Sequence, residues 1–407
     1  MSNPFIAAIR SSSWLDAGGD NIITTHFASD YGLPWAAEEQ SAFRKVFDAY
    51  EAVCNVQFVE TGRDGVEIVE NKVTSSQMQA IMNYGWHGWH DEPGQGERRG
   101  LFDSTKDYWD TSLGVGGKAY WLITHEIGHA LGLEHPHSTW HGSGLFPGVT
   151  EDVATDAGDY GLNSVLTTAM SYRLNNTPAD SYGQIAGPMA FDIAALQEMY
   201  GAREHATGDD VYVLPSGNGV GTYWSCIWDT GGVDEMAYSG TSNVTIDLRQ
   251  ASLENQPGGG GWYSSASGIY GGYSIANGVV IENAQGGSGN DTIRGNYADN
   301  SVSGGAGNDT IYGYSGADVL SGNSGADSLY LGADTNLDRV IVGSLDTIYQ
   351  FDSREDKIDL SRFKVDWTKV VAEAGGWTVS VDYDTDAAVD LTFRVFGEKP
   401  VWADFIF

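Results

Sequence analysis

Basic residues are few: 21 lysines and arginines stand against 55 aspartates and glutamates, a formal net charge of −34. That balance excludes nucleic acid and anionic membrane surfaces as partners and suits a chain that binds cations. Prolines are few as well, ten beside 54 glycines in 407 residues, so the glycine belongs neither to a collagen repeat nor to proline-rich disorder. No segment approaches the ~18 consecutive apolar residues of a membrane-spanning helix. The N-terminus, MSNPFIAAIRSSSWLDAGGD, offers an apolar run of only five before Arg10. A secretory signal has a core of ~7 to 15 such residues, so none is expected here. The two cysteines, Cys54 and Cys226, lie far apart and read as unpaired, largely buried thiols.

What is present divides the chain in two. With 41% hydrophobic residues it can bury real cores, and its length suggests two domains or more. Residues 1–205 read as mixed α and β behind a short leader, about 1–20. In AAEEQSAFRKVFDAYEAV, Phe43, Val46, Phe47, Tyr50 and Val53 recur at helical spacing, with acids early, which predicts an amphipathic helix over Ala36 to Val53. VQFVET and GVEIVE alternate like strands. GPMAFDIAALQEMYGA predicts a helix with Pro188 in its first turn and Gly201 as its stop. Over 206–407 the texture changes to short β runs separated by glycine, asparagine and aspartate. Five units, GGSGNDTIR, GNYADNSVS, GGAGNDTIY, GYSGADVLS and GNSGADSLY, run from Gly286 to Tyr330 with a period of nine. Each places glycine first, aspartate or asparagine sixth and an aliphatic residue eighth. The second is degenerate, with Ala298 and Asn300 where glycine and aspartate are the rule.

HEIGHALGLEHP, His125 to Pro136, holds three of the nine histidines. A helical residue advances ~100°, so His125 and His129 reach one face a turn apart and can grip one ion. A catalytic zinc takes nitrogen ligands in tetrahedral array and keeps one position open for water. Glu126 is placed to act on that water as a general base. Gly132 can turn the chain back without strain, and that brings His135 up as a third ligand. His137 and His141 compete for that role, but only His135 has the spacing after the glycine. His87 and His90, in WHGWH, read as an aromatic-rich surface loop rather than a second metal site.

HExxHxxGxxH followed by TTAMSYR resembles the metzincin signature with its methionine turn at Met170. Tyr172, two residues on, is similar to the extra tyrosine of the serralysin and astacin branches, and the nonapeptides select serralysin. DIAALQEMYGA, WDTGGVDEMAYSG and NGVVIENAQGGSGND also look like serralysin segments, so the resemblance spans nearly the whole chain. It implies an α+β metzincin catalytic domain followed by an all-β parallel β-roll that binds calcium. It also implies one zinc on His125, His129 and His135, with Tyr172 as a further ligand that swings away to meet the oxyanion, and Met170 as an apolar floor.

In the roll two nonapeptides would make one coil. Glycine-rich turns, Gly287 and Gly289, Gly305 and Gly307, would offer carbonyls to several structural calcium ions. The sixth-position side chains would pair as Asp291 with Asp309, Asn300 with Asp318, and Asp309 with Asp327, the Asn300 site being weakest. Likeness to the family adds Gly208, Asp210, Asp229, Gly231 and Asp234, with Glu282 joining Asp234. The terminal DFIF, Asp404 to Phe407, looks like the serralysin tail read by a type I (ABC) exporter, which implies a secreted, extracellular protein. Protein and peptide substrates, that exporter and a small protein inhibitor are the expected partners, and the expected state is a monomer. The leader contains no cysteine, which excludes a cysteine-switch latency. Substrate is expected to pair with an edge strand before the zinc helix, Gly100 to Thr105. Two alternatives stay open: a narrow processing protease, and a calcium-dependent binding or adhesion protein whose protease half is vestigial.

Overall fold

The computed structural model describes residues 3–11, 21–83, 88–91, 98–139, 142–173, 182–363, 365, 367–373, 375–382 and 389–407. The first half contains the helices α1 (Pro4–Ile9), α2 (Ala37–Val53), α3 (Ser75–Met82), α4 (Lys118–Ala130) and α5 (Ala190–Tyr200). Its sheet is built from β1 (Ile22–Ala28), β2 (Gln57–Glu60), β3 (Ile68–Val73), β4 (Gly88–His90) and β5 (Arg98–Asp103). In α2 the apolar residues named above are all buried, and Glu38 and Glu39 occupy the first turn, where the helix dipole favours acids. Helix α5 begins at Ala190, after Pro188 rather than around it, because Asp192 reaches back to cap the Met189 amide at 2.9 Å. Gly201, at φ +81°, ends it.

The segment expected as a leader is part of the packed fold where it is described. Asn3 caps α1 through the amides of Phe5 and Ile6, and Phe5 stacks on Phe191 of α5 at 4.5 Å. The Glu134 amide donates to the Ile9 carbonyl at 2.9 Å, tying this segment to the loop that carries His135.

The sheet order is β2-β1-β3-β5-β4, parallel except for β4, which runs antiparallel to β5. Gly100 to Asp103 therefore lies in a strand paired on both sides and is not the edge. Among the described residues the edges are β2 and β4, and β4 is the one that packs beside α4. His90, expected in a surface loop, is buried in β4 with its Nε2 3.3 Å from Oε1 of buried Glu70. His87 lies outside the described residues.

The second half is a β-roll. Thr292–Arg294, Thr310–Tyr312 and Ser328–Tyr330 stack in parallel in one sheet, and Ser301–Ala306 and Val319–Ser324 in the other. Ile293 faces Ile311, Ile311 faces Leu329 and Val302 faces Leu320, so successive nine-residue units alternate between the sheets, two to a coil. These eighth-position residues fill the interior. The first-position glycine is needed because its Cα lies against the sixth-position carboxylate: a Cβ on Gly304 would be 2.3 Å from Oδ2 of Asp309.

Coiling continues past the last repeat through Arg339–Ile341, Thr347–Phe351 and Lys357–Asp359. The terminal Phe405–Ile406 pairs with Lys357–Asp359 as a last parallel strand. One apolar cluster runs without a break from Phe5 through Met170, Phe191 and Ile227 to Phe405. Cys54 and Cys226 are both free and buried, and burial pushes each thiol up to about 12.

Candidate active site

Helix α4 ends at Ala130 and the chain turns at Gly132, whose φ of +97° suits glycine without strain. The return brings Nε2 of His135 to 3.1 Å from Nε2 of His125 and 3.1 Å from Nε2 of His129. Nδ1 of His125 lies 2.8 Å from the Ala169 carbonyl, and Nδ1 of His129 lies 2.8 Å from the Leu133 carbonyl. A carbonyl only accepts, so both Nδ1 atoms carry the proton and both Nε2 lone pairs face inward. Tetrahedral zinc with ~2.0 to 2.1 Å bonds needs nitrogens roughly 3.3 Å apart, close to the spacing found. Burial lowers His125 to about 4, and burial with the neighbouring histidines takes His135 well below its ordinary value. Those two rings stay neutral, the form that ligates, and with the carbonyl-bound Nδ1 atoms the residues present fit a zinc ion. His137 stacks on the His135 ring at 5.1 Å and is not one of the converging three. His141 lies outside the described residues.

The methionine turn supports this cluster from below. Met170 is fully buried, and a Cβ on Gly128 would come within 2.7 Å of its Sδ. Asp192 of α5 holds the turn: its Oδ1 accepts from the Thr168 hydroxyl at 2.6 Å and its Oδ2 from the Ala169 amide at 2.6 Å. The carbonyl of Ala169 is the one that orients His125. Asp192 thus positions His125 through one residue of backbone. It went unremarked in the sequence, where its signal is a lone acid inside MAFDIAAL.

Glu126 is buried, and burial, then the charge of Glu70, raises its carboxyl to about 8. Glu70 and His90, also unforeseen, form a fully buried pair in the sheet. The Tyr172 ring lies 5.0 Å from His125 and 4.8 Å from His135. Although the residue is more than a third exposed, desolvation on its inner side and then Glu126 raise its phenol above the usual range, so it remains a proton-bearing donor. Between Glu126 and Tyr172 opens a cavity of about 310 Å³, walled also by Gly88, Tyr108, Lys118, Trp121 and Leu122.

In the roll, amides of one coil donate to aspartates of the next. The amide of Asp291 donates to Oδ1 of Asp309, that of Asn300 to Asp318, and that of Asp309 to Asp327, each at 2.8 Å. The three expected pairs are therefore in contact. Oδ2 of Asp309, Asp318 and Asp327 is buried without a hydrogen-bond partner. Burial first, then like charges, raises Asp309 and Asp318 to about 7. Such oxygens need a cation or a proton. Asn300 differs, since its amide nitrogen donates to the Glu282 carbonyl at 3.1 Å.

The ladder also runs on to Asp346 and Asp338, at stretched spacings of 19 and 20 residues that break the nine-residue period, and from Asp338 to Asp356 at 18. Gly287 and Gly289 place their carbonyls where a Cβ on Gly305 or Gly307 would clash, at 2.1 and 2.0 Å. At the start of the roll the carboxylates of Asp210, Asp229 and Asp234 converge within 4.8 Å. The Asp234 amide donates to Glu282 at 2.8 Å, and the Gly231 amide to Asp229 at 3.0 Å. The Gly208 carbonyl presses on Gly232, 2.0 Å from where a Cβ would be.

A buried carboxyl beside a nitrogen-lined cation site is the equipment of a metallopeptidase, here carried ahead of a parallel β-roll. Comparison with known proteins narrows the class. Residues 195–407 match the family described as Peptidase M10 serralysin C terminal. Serralysin of Photorhabdus luminescens is 34% identical, over 92% of this chain and 82% of its own length. Metallopeptidase AprA of Pseudomonas marginalis is 35% identical over 86% of this chain and 72% of its own. Serralysin C of Dickeya chrysanthemi reaches 40% identity over 42% of this chain and 35% of its own. The chain belongs to the serralysin family, and it is a metalloendopeptidase.

Proposed function

We propose that the chain is a secreted, calcium-stabilised zinc endopeptidase in which residues 1–205 form a metzincin catalytic domain and 206–407 a calcium-binding and export domain. The observation that carries this reading is the convergence of three Nε2 atoms at 3.1 Å, with Nδ1 of His125 and of His129 spoken for by carbonyls. His125, His129 and His135 would hold one zinc ion, which supplies a Lewis acid and acidifies a bound water. With that ion bound, Glu126 would be held lower than burial alone sets it, in a range where its carboxylate can accept a proton.

Glu126 takes the proton of the attacking water and passes it to the leaving amine. Tyr172, which would be a further ligand at rest, donates its hydroxyl to the carbonyl oxygen as charge builds there. Substrate lies extended along β4, the free edge beside α4, and pairs through backbone groups. Such pairing tolerates many sequences and favours broad over narrow cleavage.

Calcium would occupy the roll where carboxylate oxygens are buried without partners, and at Asp210, Asp229, Asp234 and Glu282. The carboxylates repel one another without it, so the roll would consolidate outside the cell after export by an ABC-type machinery. The test is casein hydrolysis in calcium by wild type and Glu126→Gln, with zinc content measured for both. Zinc in both and cleavage only by wild type is the expected result. A wild type that holds no zinc would overturn the reading.

A further inference from the structure

The edge strand β4 is three residues long, and one side chain alone sets it on the face of the sheet turned to the candidate base. Strand alternation puts Gly88 and His90 on that face, and Gly88 brings no side chain to it. Trp89 turns the other way and packs against the cluster of Val73, Met78 and Leu101. His90 stands opposite Gly100 of β5, and Gly100 opposite Glu70 of β3, so the three form one row across the sheet. His90 and Glu70 meet over the glycine, with Nε2 3.3 Å from Oε1 and both side chains fully buried. A Cβ on Gly100 would overlap Oε2 of Glu70 and stand 3.0 Å from Cδ2 of His90, so the pair can close only over a residue without one.

Nδ1 of His90 lies 3.0 Å from the Asp91 carbonyl and carries a proton, which leaves Nε2 for the carboxyl. Oε2 of Glu70 is buried without a hydrogen-bond partner, so His90 is the one polar tie of that carboxyl among the described residues. A buried pair of this kind adds little net stability over apolar residues of the same bulk, and its best-attested use is to specify register. A slip of β4 by one residue would turn His90 to the other face and leave the Glu70 carboxyl buried alone. We propose that Glu70 and His90 are positioning residues that lock β4 in one register against β5, and so fix where a substrate backbone paired with β4 lies relative to Glu126. This rests on reading the histidine cluster with Glu126 as the peptidase centre and β4 as the strand that substrate joins. A loosened strand withdraws from Glu126 rather than pressing on it, so the effect belongs to substrate binding and not to the chemical step.

Full-length enzyme loaded with zinc and calcium is compared as wild type, Glu70→Gln and the double variant Glu70→Met with His90→Leu, on an extended quenched peptide. Glutamine keeps the shape of the carboxyl and can meet Nε2 as a donor, whereas the double variant substitutes apolar bulk and leaves no buried charge alone. Both remove the charge that Glu70 sets against Glu126, so the difference between them isolates the brace. In the double variant KM should rise about tenfold with kcat within a few-fold of wild type, the pattern of lost uniform binding. Glu70→Gln should keep KM near wild type, and zinc content should be the same in all three. Gly100→Ala, which drives the carboxyl off the ring, should raise KM in the same way and replaces the double variant if that does not fold. A wild-type KM in the variant without the brace, an equal rise in Glu70→Gln, or a loss confined to kcat overturns the proposal and leaves the peptidase centre standing. A zinc-loaded wild type that cuts neither casein nor the peptide overturns both.

Discussion

A Cβ on Gly88 would stand 2.8 Å from Oε1 of Glu126 and 2.9 Å from its Cγ, so the edge strand passes over the candidate base at backbone distance. The strand that would receive substrate and the carboxyl that would activate water are held in one contact. Gly88→Ala should displace Glu126 and lower kcat by about 10- to 100-fold, since misplacement by about an ångström can cost 10²-fold. Zinc content and melting temperature should change little. A variant as active as wild type would show that the carboxyl has room to spare.

Tyr172→Phe removes a hydroxyl and leaves the ring against His125 and His135. Loss of one oxyanion donor typically costs about 10²- to 10³-fold in kcat. Steady-state kinetics should show that loss with KM nearly unchanged. A rate within a few-fold of wild type would remove Tyr172 from the chemistry.

Stability of the roll should depend on pH in opposite senses with and without calcium. Burial raises Asp309, Asp318 and Asp346 to about 7 and Asp338 to about 8, all above their ordinary value of 3.8. Without calcium the folded state binds more protons than the unfolded chain between those limits. Its stability is then greatest in acid and is lost as pH rises through about 7 to 8. Melting temperatures in a chelator should therefore fall from pH 5 to pH 8. In millimolar calcium the ion replaces the protons, and the trend should flatten or reverse. A chelated protein that grows more stable towards pH 8 would contradict this.

Asn300 closes its own site with a hydrogen bond where its neighbours leave a bare carboxylate oxygen. Asn300→Asp should cost stability in chelator, because the donor to the Glu282 carbonyl is lost and a charge is added. In calcium the same variant should gain affinity, read as a larger calcium-dependent rise in melting temperature. Equal responses of variant and wild type would place the ion elsewhere.

The convergence of the histidines was legible because a helix converts spacing into direction, so the positions of His125, His129 and Gly132 announce their geometry. The roll was legible for the same reason, its glycine, acid and aliphatic positions each meeting a distinct contact. What stayed hidden depends on pairing between distant segments. The edge strand β4 is three residues long and has no period to read. Glu70 and His90 become partners only because β3, β5 and β4 lie side by side. Helix α1 is six residues long, and its apolar run gains meaning only against Phe191 and Phe146. Asp346 and Asp338 continue the ladder at a stretched spacing that hides them from a search for nines.

Although the text of the roll repeats every nine residues, its partners across the ladder are eighteen apart. Removing one nonapeptide would send every later strand to the opposite sheet and set each following aspartate in the wrong column. Removing two would shorten the roll by a single coil and leave all remaining contacts in register. The inheritable unit of length in this half of the molecule is therefore the pair, and relatives should differ in whole coils.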